Sequence, residues 1–383
     1  MKRPAPLIIF TIVTFATLLL WLGAAYFAGL IAERELTPYL GRRISLYQEN
    51  CSFALVEYQR GFLSSRARST MQLGPESGMD RVNSEIVERG SGGLELQHHL
   101  RHGPLPPTNP ESRKLSWGLP LLAEISTLGT RPGSPELQLQ ARTTIDMRGT
   151  ITTFFRLNPS FIEYETAGVV GGVEGVLFCR REQTDTGREV ITVELTLRGE
   201  RVELMGEIYG PLEMELRAGN LDMAALSGFF ELTPWLAGLV ADPSGGDLPP
   251  QAAQTLVESI TTLLEHSPEL KLNLTRLKTP SGRLEARLNM SYREREKREI
   301  FHPAMLLSGL EMDFEARGPA TLEQSHPQYF QALRQRGYPV TTAGERFSFS
   351  LQLREGELKL NGQPAPARIL RRAAGRLLFT ITP

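Results

Sequence analysis

The sequence predicts a mainly β protein of the α+β class. An N-terminal transmembrane helix leads into a large antiparallel, hairpin-rich curved sheet or sandwich with a few covering helices. Three observations carry this expectation. Leu7 to Ala32 is a run of 26 residues without a charged side chain. From Ser52 onward the apolar residues recur at period two, the mark of half-buried antiparallel strands. The 35 glycines and 26 prolines are spread along the chain, as turns between many short elements would be.

The N-terminal run is long enough to span a hydrocarbon core of about 30 Å with some tilt. Lys2 and Arg3 precede it, whereas Glu33, Arg34 and Glu35 follow. The positive-inside rule therefore keeps the N-terminus in the cytoplasm and exports the remainder. A cleaved signal peptide has an apolar region of about 7–15 residues ending in a small-residue site. Here the run continues past Gly23-Ala24-Ala25 to Ala32, so it reads as an uncleaved anchor. Gly23, Ala24, Ala25, Ala28, Gly29 and Ala32 include small residues four apart, a spacing compatible with a homodimer face. Glu33 to Gln48 continues the helical spacing through Leu36, Tyr39, Leu40, Ile44 and Tyr47, with a kink at Pro38.

Strands then follow in order. Phe53–Gln59 turns at Arg60-Gly61 into a return strand in which Leu63, Ser65, Ala67, Ser69, Met71 and Leu73 face one way, and Ser64, Arg66, Arg68, Thr70 and Gln72 the other. Leu137, Leu139, Ala141, Thr143, Ile145 and Met147 repeat the pattern, and a turn at Gly149 leads into Ile151–Leu157. Val190–Arg198 and Arg201–Tyr209 are expected to pair with each other. Leu270, Leu272 and Leu274 turn at Thr279–Gly282 into Leu284, Ala286, Leu288, Met290 and Tyr292. Phe347, Phe349, Leu351 and Leu353 turn at Arg354–Gly356 into Leu358 and Leu360, and Leu377, Phe379 and Ile381 form a last strand. Stretches 103–112 and 130–135 are expected as long loops.

Helices are few. Pro250–His266 has an apolar face and proline-marked boundaries, Pro327–Arg336 stops at Gly337, and Leu221–Val240 is expected to form two short helices broken at Pro234. Residues 242–249 read as a flexible linker. The expected organisation is therefore tail and anchor at 1–32, an extracytoplasmic β-rich region at 33–242, and a helix with a C-terminal β-rich region at 250–383.

With 42 basic and 43 acidic residues the net charge is −1, which points to neither nucleic acid nor an acidic ligand. Two cysteines, Cys51 and Cys179, admit one disulfide or two free thiols. His98, His99 and His102 cluster, but on a strand His98 and His99 point to opposite faces. His98 and His102 then lie about 13 Å apart, too far for ligand nitrogens that must approach zinc to about 2 Å. His102 is expected to hydrogen-bond the turn that follows it. The glycines from Gly168 to Gly175 sit between strand-like segments and read as a bulge or tight turn rather than a dinucleotide loop. Arg293–Glu299 alternates in sign as a solvated element end, and Glu213 and Glu215 lie on the wet side of their strand. There is no GxSxG, HExxH, Walker-type loop or CxxC. No catalytic, cofactor-binding or metal-ligating residue is predicted, and the chain reads as non-enzymatic.

Several stretches together resemble the YdgA-like family of bacterial inner-membrane proteins, a domain of unknown function. They are Gly29-x-x-x-Glu33, Tyr58-x-Arg60-Gly61-Phe62 with Ser65, His102-Gly103-Pro104, Asn220-Leu221-Asp222 and Leu264-x-x-x-Pro268-Glu269-Leu270. To these is added the run from Gly337 through Gly356-Glu-Leu-Lys-Leu-Asn361-Gly362-Gln-Pro364. The resemblance implies a single-pass protein of the bacterial inner membrane with a periplasmic C-terminal domain, and implies no activity or site residue.

One-sided strands must hide their apolar faces, either in a filled sandwich or in one curved sheet that leaves a groove. The first arrangement predicts a non-enzymatic scaffold or assembly factor that contacts envelope proteins. The second predicts a lipid-binding or lipid-transfer module with phospholipid as partner. The scaffold is the primary expectation. Whether Leu137, Leu139, Leu284, Leu288, Phe347 and Phe349 face a filled core or an open groove separates the two.

Overall fold

The computed structural model describes residues 43–46, 49–61, 63–74, 94–105, 108–112, 114, 121–131, 134–158, 160–162, 168–170, 172–184, 187–204, 207–226, 228, 250–293, 309–325, 327–335, 338 and 340–365. It is mostly antiparallel β sheet with few helices. No helix among the described residues is long and apolar enough to cross a membrane, and the expected span at 7–32 lies outside them. The chain divides into two compact units, residues 1–158 and 159–383.

The first unit is an up-and-down meander. Its strands are β1 (Arg43–Leu46), β2 (Glu49–Arg60), β3 (Ser64–Gly74), β4 (Leu94–Leu105), β5 (Leu121–Arg131), β6 (Ser134–Asp146) and β7 (Ile151–Leu157). Each pairs antiparallel with the next. Period-two alternation explains the burial: Ser65, Ala67 and Ser69 are buried while Arg66 and Arg68 between them are exposed. On β4, Leu94, Leu96 and Leu100 continue the buried face. Gly129 of β5 lies between Leu96 and Leu139, where a Cβ would come within 2.8 Å of Leu96 and 3.1 Å of Leu139.

Three expectations change here. Arg43–Leu46 is a strand paired with Glu49–Ser52, not a continuation of the helix. Ladder bonds to β2 outweigh a helical end that carries the β-branched Ile44 and a proline upstream. Residues 130–135 hold the close of a hairpin, with Arg131 opposite Ser134, rather than a long loop. Likewise Gly103–Leu105 belongs to β4, with a bulge between His102 and Leu105 and Gly103 at φ 101°.

The second unit contains β8 (Ser160–Ile162), β9 (Gly168–Val170), β10 (Val173–Gln183), β11 (Glu189–Gly199), β12 (Val202–Leu204), β13 (Glu207–Tyr209) and β14 (Leu212–Asp222). After these come helix α1 (Pro250–Leu264), β15 (Glu269–Thr279), β16 (Gly282–Tyr292) and β17 (Leu310–Pro319). The short helices α2 (Thr321–Ser325) and α3 (Pro327–Gln335) precede β18 (Thr341–Ala343), β19 (Arg346–Arg354), β20 (Glu357–Leu360) and β21 (Gln363–Pro364). The large sheet runs β10-β11-β14-β15-β16-β17-β19. Both β18 and β20 pair with β19, and β21 pairs with β20.

The expected pairing of Val190–Arg198 with Arg201–Tyr209 does not form. β11 pairs instead with β14, a strand of matching length, and β12 and β13 join β8 and β9 in a separate small sheet. Gly168 to Gly175 takes in the whole of β9 and the start of β10, with no helix following. α1 ends as its prolines imply: Ser267 takes a left-handed φ of 49° directly before Pro268. α2 had no signal in the periodicity. Of the expected helices at 221–240, residues 223–226 are helical, and 229–240 lie outside the described residues, as do the linker 242–249, residues 294–299 and the strand around Phe379.

Candidate functional site

Strand register in the second unit aligns apolar side chains into rows that cross the whole sheet. One row runs Leu177, Leu195, Leu216, Leu272, Leu288, Phe314, Leu351 and Leu360. The next runs Cys179, Val193, Ala218, Leu270, Met290, Met312, Leu353 and Leu358. At strand spacings of about 4.8 Å the first row is about 34 Å long. Its members from Leu177 to Leu351 are all half-buried, and only Leu360 at the end is fully buried.

Among the described residues, buried apolar side chains occur on α1, at Ala252 and Leu256, and at the β17–β20 end. There Leu353, Leu358 and Leu360 form a core, Phe330 of α3 meets Phe347 edge-on at 5.2 Å, and Tyr338 meets Phe349 at 6.0 Å. Of the residues that separate core from groove, Phe347 is buried, while Leu139, Leu284, Leu288 and Phe349 are half-buried. Leu137 is a β6 residue whose side chain lies outside those described. Cys179, a free thiol, sits on this apolar face, where burial pushes it up and Arg181 only partly offsets the push. Such a thiol is a poor nucleophile.

The opposite face of the same sheet is polar and charge-matched. Arg217 meets Glu194 and Glu269 at 3.2 Å each, Arg283 meets Glu285 at 2.9 Å, and Arg354 meets Asp313 at 3.1 Å. Glu213 and Glu215 are exposed there, and Glu213 lies 4.0 Å from Arg276. Exposed pairs of this kind contribute little to stability; they keep the outer face wet.

The histidines of the first unit behave differently from expectation. His98 and His102 do share a face, but His102 does not bond to the turn that follows. Its Nε2 lies 2.7 Å from Ser65 Oγ on β3, both residues being 1% exposed. His98 Nε2 lies 2.8 Å from Ser69 Oγ, and its Nδ1 lies 2.9 Å from Thr127 Oγ1 on β5. The result is a polar ladder that ties three strands together inside the buried face. A Ser–His pair invites comparison with a hydrolytic dyad. Ser65 has no path to a substrate at 1% exposure, and His102 Nδ1, buried and without a hydrogen-bond partner, has no carboxylate to orient it. The ladder is a structural clasp. No group of three or more metal-ligating side chains occurs among the described residues.

Burial lowers the pKa of both His98 and His102 from the ordinary 6.5, and the charge of His99 adds to the effect at His102. Both are therefore neutral in the folded protein near neutral pH. Below 6.5 the unfolded chain binds protons that the folded chain refuses, so stability rises with pH in that window. The contribution is complete above 6.5 and is lost as pH falls through the lower folded values. Urea midpoints measured between about pH 7 and pH 5 are expected to fall with pH, and less steeply in His102→Gln than in the native chain. Equal slopes would assign the acid sensitivity to other groups.

A family model described as "Bacterial protein of unknown function (DUF945)" matches residues 1–163 and 177–324. The chain belongs to this family. No curated protein and no solved structure matches it.

In this DUF945 chain the residues singled out by their order in the sequence meet in space as clasps. Ser65 and His102 bond to each other, His102 N donates to Leu63 O at 2.9 Å, and Gly61 N donates to Ser64 O at 2.9 Å. Asn220, at φ 56°, donates from Nδ2 to Ser267 O, joining Asn220-Leu221-Asp222 to the passage from α1 to β15. Asp222 Oδ1 accepts from Ala225 N as a helix cap, and its Oδ2 lies 3.3 Å from a misaligned His266 Nε2. Asn361 and Gly362, at φ 49° and 77°, form the tight turn between β20 and β21. The Asn361 amide also accepts from Ser350 N at 2.7 Å and donates to Thr341 Oγ1 at 2.9 Å.

Sequence reasoning missed two features of the first unit. One is a buried ion pair. Arg142 donates from Nε to Glu124 Oε1 at 3.0 Å and reaches Asn109 O and Thr108 Oγ1 at 3.3 Å each. The other is a polar concavity of about 750 Å³ on the face opposite the histidine ladder. It is lined by two adjacent register rows: Arg66, His99, Ser126, Arg142 and Phe154, then Arg68, Gln97, Leu128, Gln140 and Arg156. The alternation of Arg66 with Ala67 and of Arg142 with Ala141 was visible; which strands neighbour each other was not.

Proposed function

We propose that this DUF945 chain is a YdgA-like, membrane-tethered lipid-binding module, with acyl chains lying along the apolar face of the second unit's sheet. The observation that carries the reading is the half-buried row from Leu177 to Leu351. Apolar surface left wet forgoes about 25 cal/mol per Å² of burial, and contiguous exposed apolar patches usually mark a binding site. A row of about 34 Å exceeds the length of one leaflet's chains, about half of a 30 Å hydrocarbon core. The charge-free run from Leu7 to Ala32 supports a bilayer anchor, with residues beyond it on the periplasmic side of the inner membrane. An envelope scaffold would cover these faces with protein.

The test is photolabelling. The full chain is placed in nanodiscs whose phospholipid carries a photoactivatable acyl chain, and adducts are mapped by mass spectrometry. Adducts are expected on peptides from β11, β14, β15 and β16, and are expected to drop several-fold in Leu216→Asp and Leu288→Asp. Labelling confined to residues 7–32 would end the lipid reading and leave the scaffold.

A further inference from the structure

We propose that the polar concavity of the first unit binds an uncharged oligosaccharide, one ring seated on Leu128 between the side-chain amides of Gln97 and Gln140. Charge in and beside the concavity is balanced. Arg66, Arg68, Arg142 and Arg156 bring four guanidinium groups. Glu57 and Glu111 line the same cavity, Glu95 lies 3.7 Å from Arg68, and Glu124 lies 2.9 Å from Arg142. Arg156 also sits over the Phe154 ring, 5.8 Å from its centroid. A charged ligand would meet a surface already neutralised, whereas a neutral one leaves every pair in place.

What the lining has left to offer is neutral or apolar. Among the described residues, the side chains of Gln97, His99, Ser126 and Gln140 make no hydrogen bond. Leu128 stands opposite Gln97 on one neighbouring strand and Gln140 on the other. It is 41% exposed, an apolar patch within a polar strip. The two glutamines are two strand spacings apart, about 10 Å, which leaves room for one ring between them. A sugar ring carries C–H groups on its faces and hydroxyls around its edge. A leucine beneath it and amides on either side meet both kinds of surface, since an amide can donate and accept. Ser126 and His99, opposite each other in the next register row, add further partners. One wall of the concavity is held in place from within. Arg142, 8% exposed, donates to Asn109 O and Thr108 Oγ1 at 3.3 Å each, and Asn109 Oδ1 accepts from Glu111 N at 2.8 Å and Ser112 N at 3.0 Å. Pro110 and Glu111 are thereby fixed at the rim. From β3 to β7 is four strand spacings, about 19 Å, a length that takes several rings end to end.

This site does not depend on the apolar row, which belongs to the other unit. The full chain in nanodiscs, with no sugar-based detergent present, is titrated with chitotetraose and with maltotetraose and followed by saturation-transfer difference NMR. Saturable binding is expected, with the C–H protons of the sugar most strongly saturated and the affinity unchanged as salt is raised. Tighter binding of chitotetraose would show that the glutamines read acetamido groups, and tighter binding of maltotetraose that they read hydroxyls. Gln97→Ala and Gln140→Ala, both at exposed positions, are each expected to weaken binding roughly tenfold. Leu128→Asp is expected to abolish it, and Arg287→Gln, on the charge-matched face of the second unit, to leave it unchanged. Absence of saturable binding to both sugars, or equal binding by the native chain and the Gln97→Ala/Gln140→Ala double variant, would overturn the proposal. So would tighter binding of an uncharged serine–glycine tetrapeptide, which would make the concavity a peptide site.

Discussion

Glu124→Leu is expected to lower the stability of the first unit by about 3–5 kcal/mol, the usual cost of stranding one member of a buried ion pair. Glu124 is 6% exposed and Arg142 8%. Both Nε and Nη2 of Arg142 converge on Glu124 Oε1, at 3.0 and 2.9 Å. With the carboxylate gone, the guanidinium keeps only neutral acceptors, Asn109 O and Thr108 Oγ1 at 3.3 Å, and these do not neutralise its charge. Arg101 also approaches Glu124, at 3.6 Å, but it is half-exposed and contributes little. The double variant Glu124→Leu/Arg142→Leu should lose less than either single change, because no buried charge remains. Urea unfolding of the three variants decides it. A single-variant loss below about 1 kcal/mol would mean that water reaches the pair.

That pair shows what a linear sequence hides. Glu124 and Arg142 stand on adjacent strands, and neither position is distinctive until β5 and β6 are known to neighbour each other in register. The same holds for the arginine strip. A net charge of −1 averages over the chain, while strand order gathers Arg66, Arg68, Arg142 and Arg156 on one face. Alternation within one strand is local, and so it was legible: Ser65, Ala67 and Ser69 against Arg66 and Arg68, or the hairpin turning at Thr279–Gly282, appear as expected. Proline-marked helices were legible for the same reason, α1 ending within two residues of its expected limit. Pairing partners depend on the whole chain. Val190–Arg198 looked matched to the segment after it, yet β14 offers β11 a longer ladder than β12 and β13 together. His102 was misread in the same way, since its partner Ser65 lies 37 residues away on another strand.

The apolar row yields a second large effect, in a contrast between two leucines of the same register row. Leu360, 2% exposed, packs with Leu353 and Leu358 in the covered end of the sheet. Leu360→Ala removes buried methyl groups and leaves a cavity, and is expected to cost about 2.7–5 kcal/mol. Leu288, in the same row on β16, is half-buried. Part of its surface is already wet, and its neighbourhood has room to relax, so Leu288→Ala is expected to cost about 1 kcal/mol in lipid-depleted protein. A ligand bound to the native state adds stability by mass action. Returning phospholipid should therefore raise the urea midpoint of the native chain, and raise it less in Leu288→Ala. Leu360→Ala, away from the open stretch, should respond to lipid as the native chain does. If Leu288→Ala instead cost as much as Leu360→Ala and lipid moved neither midpoint, the row would be an ordinary packed core. The face would then be closed by protein, as a scaffold requires.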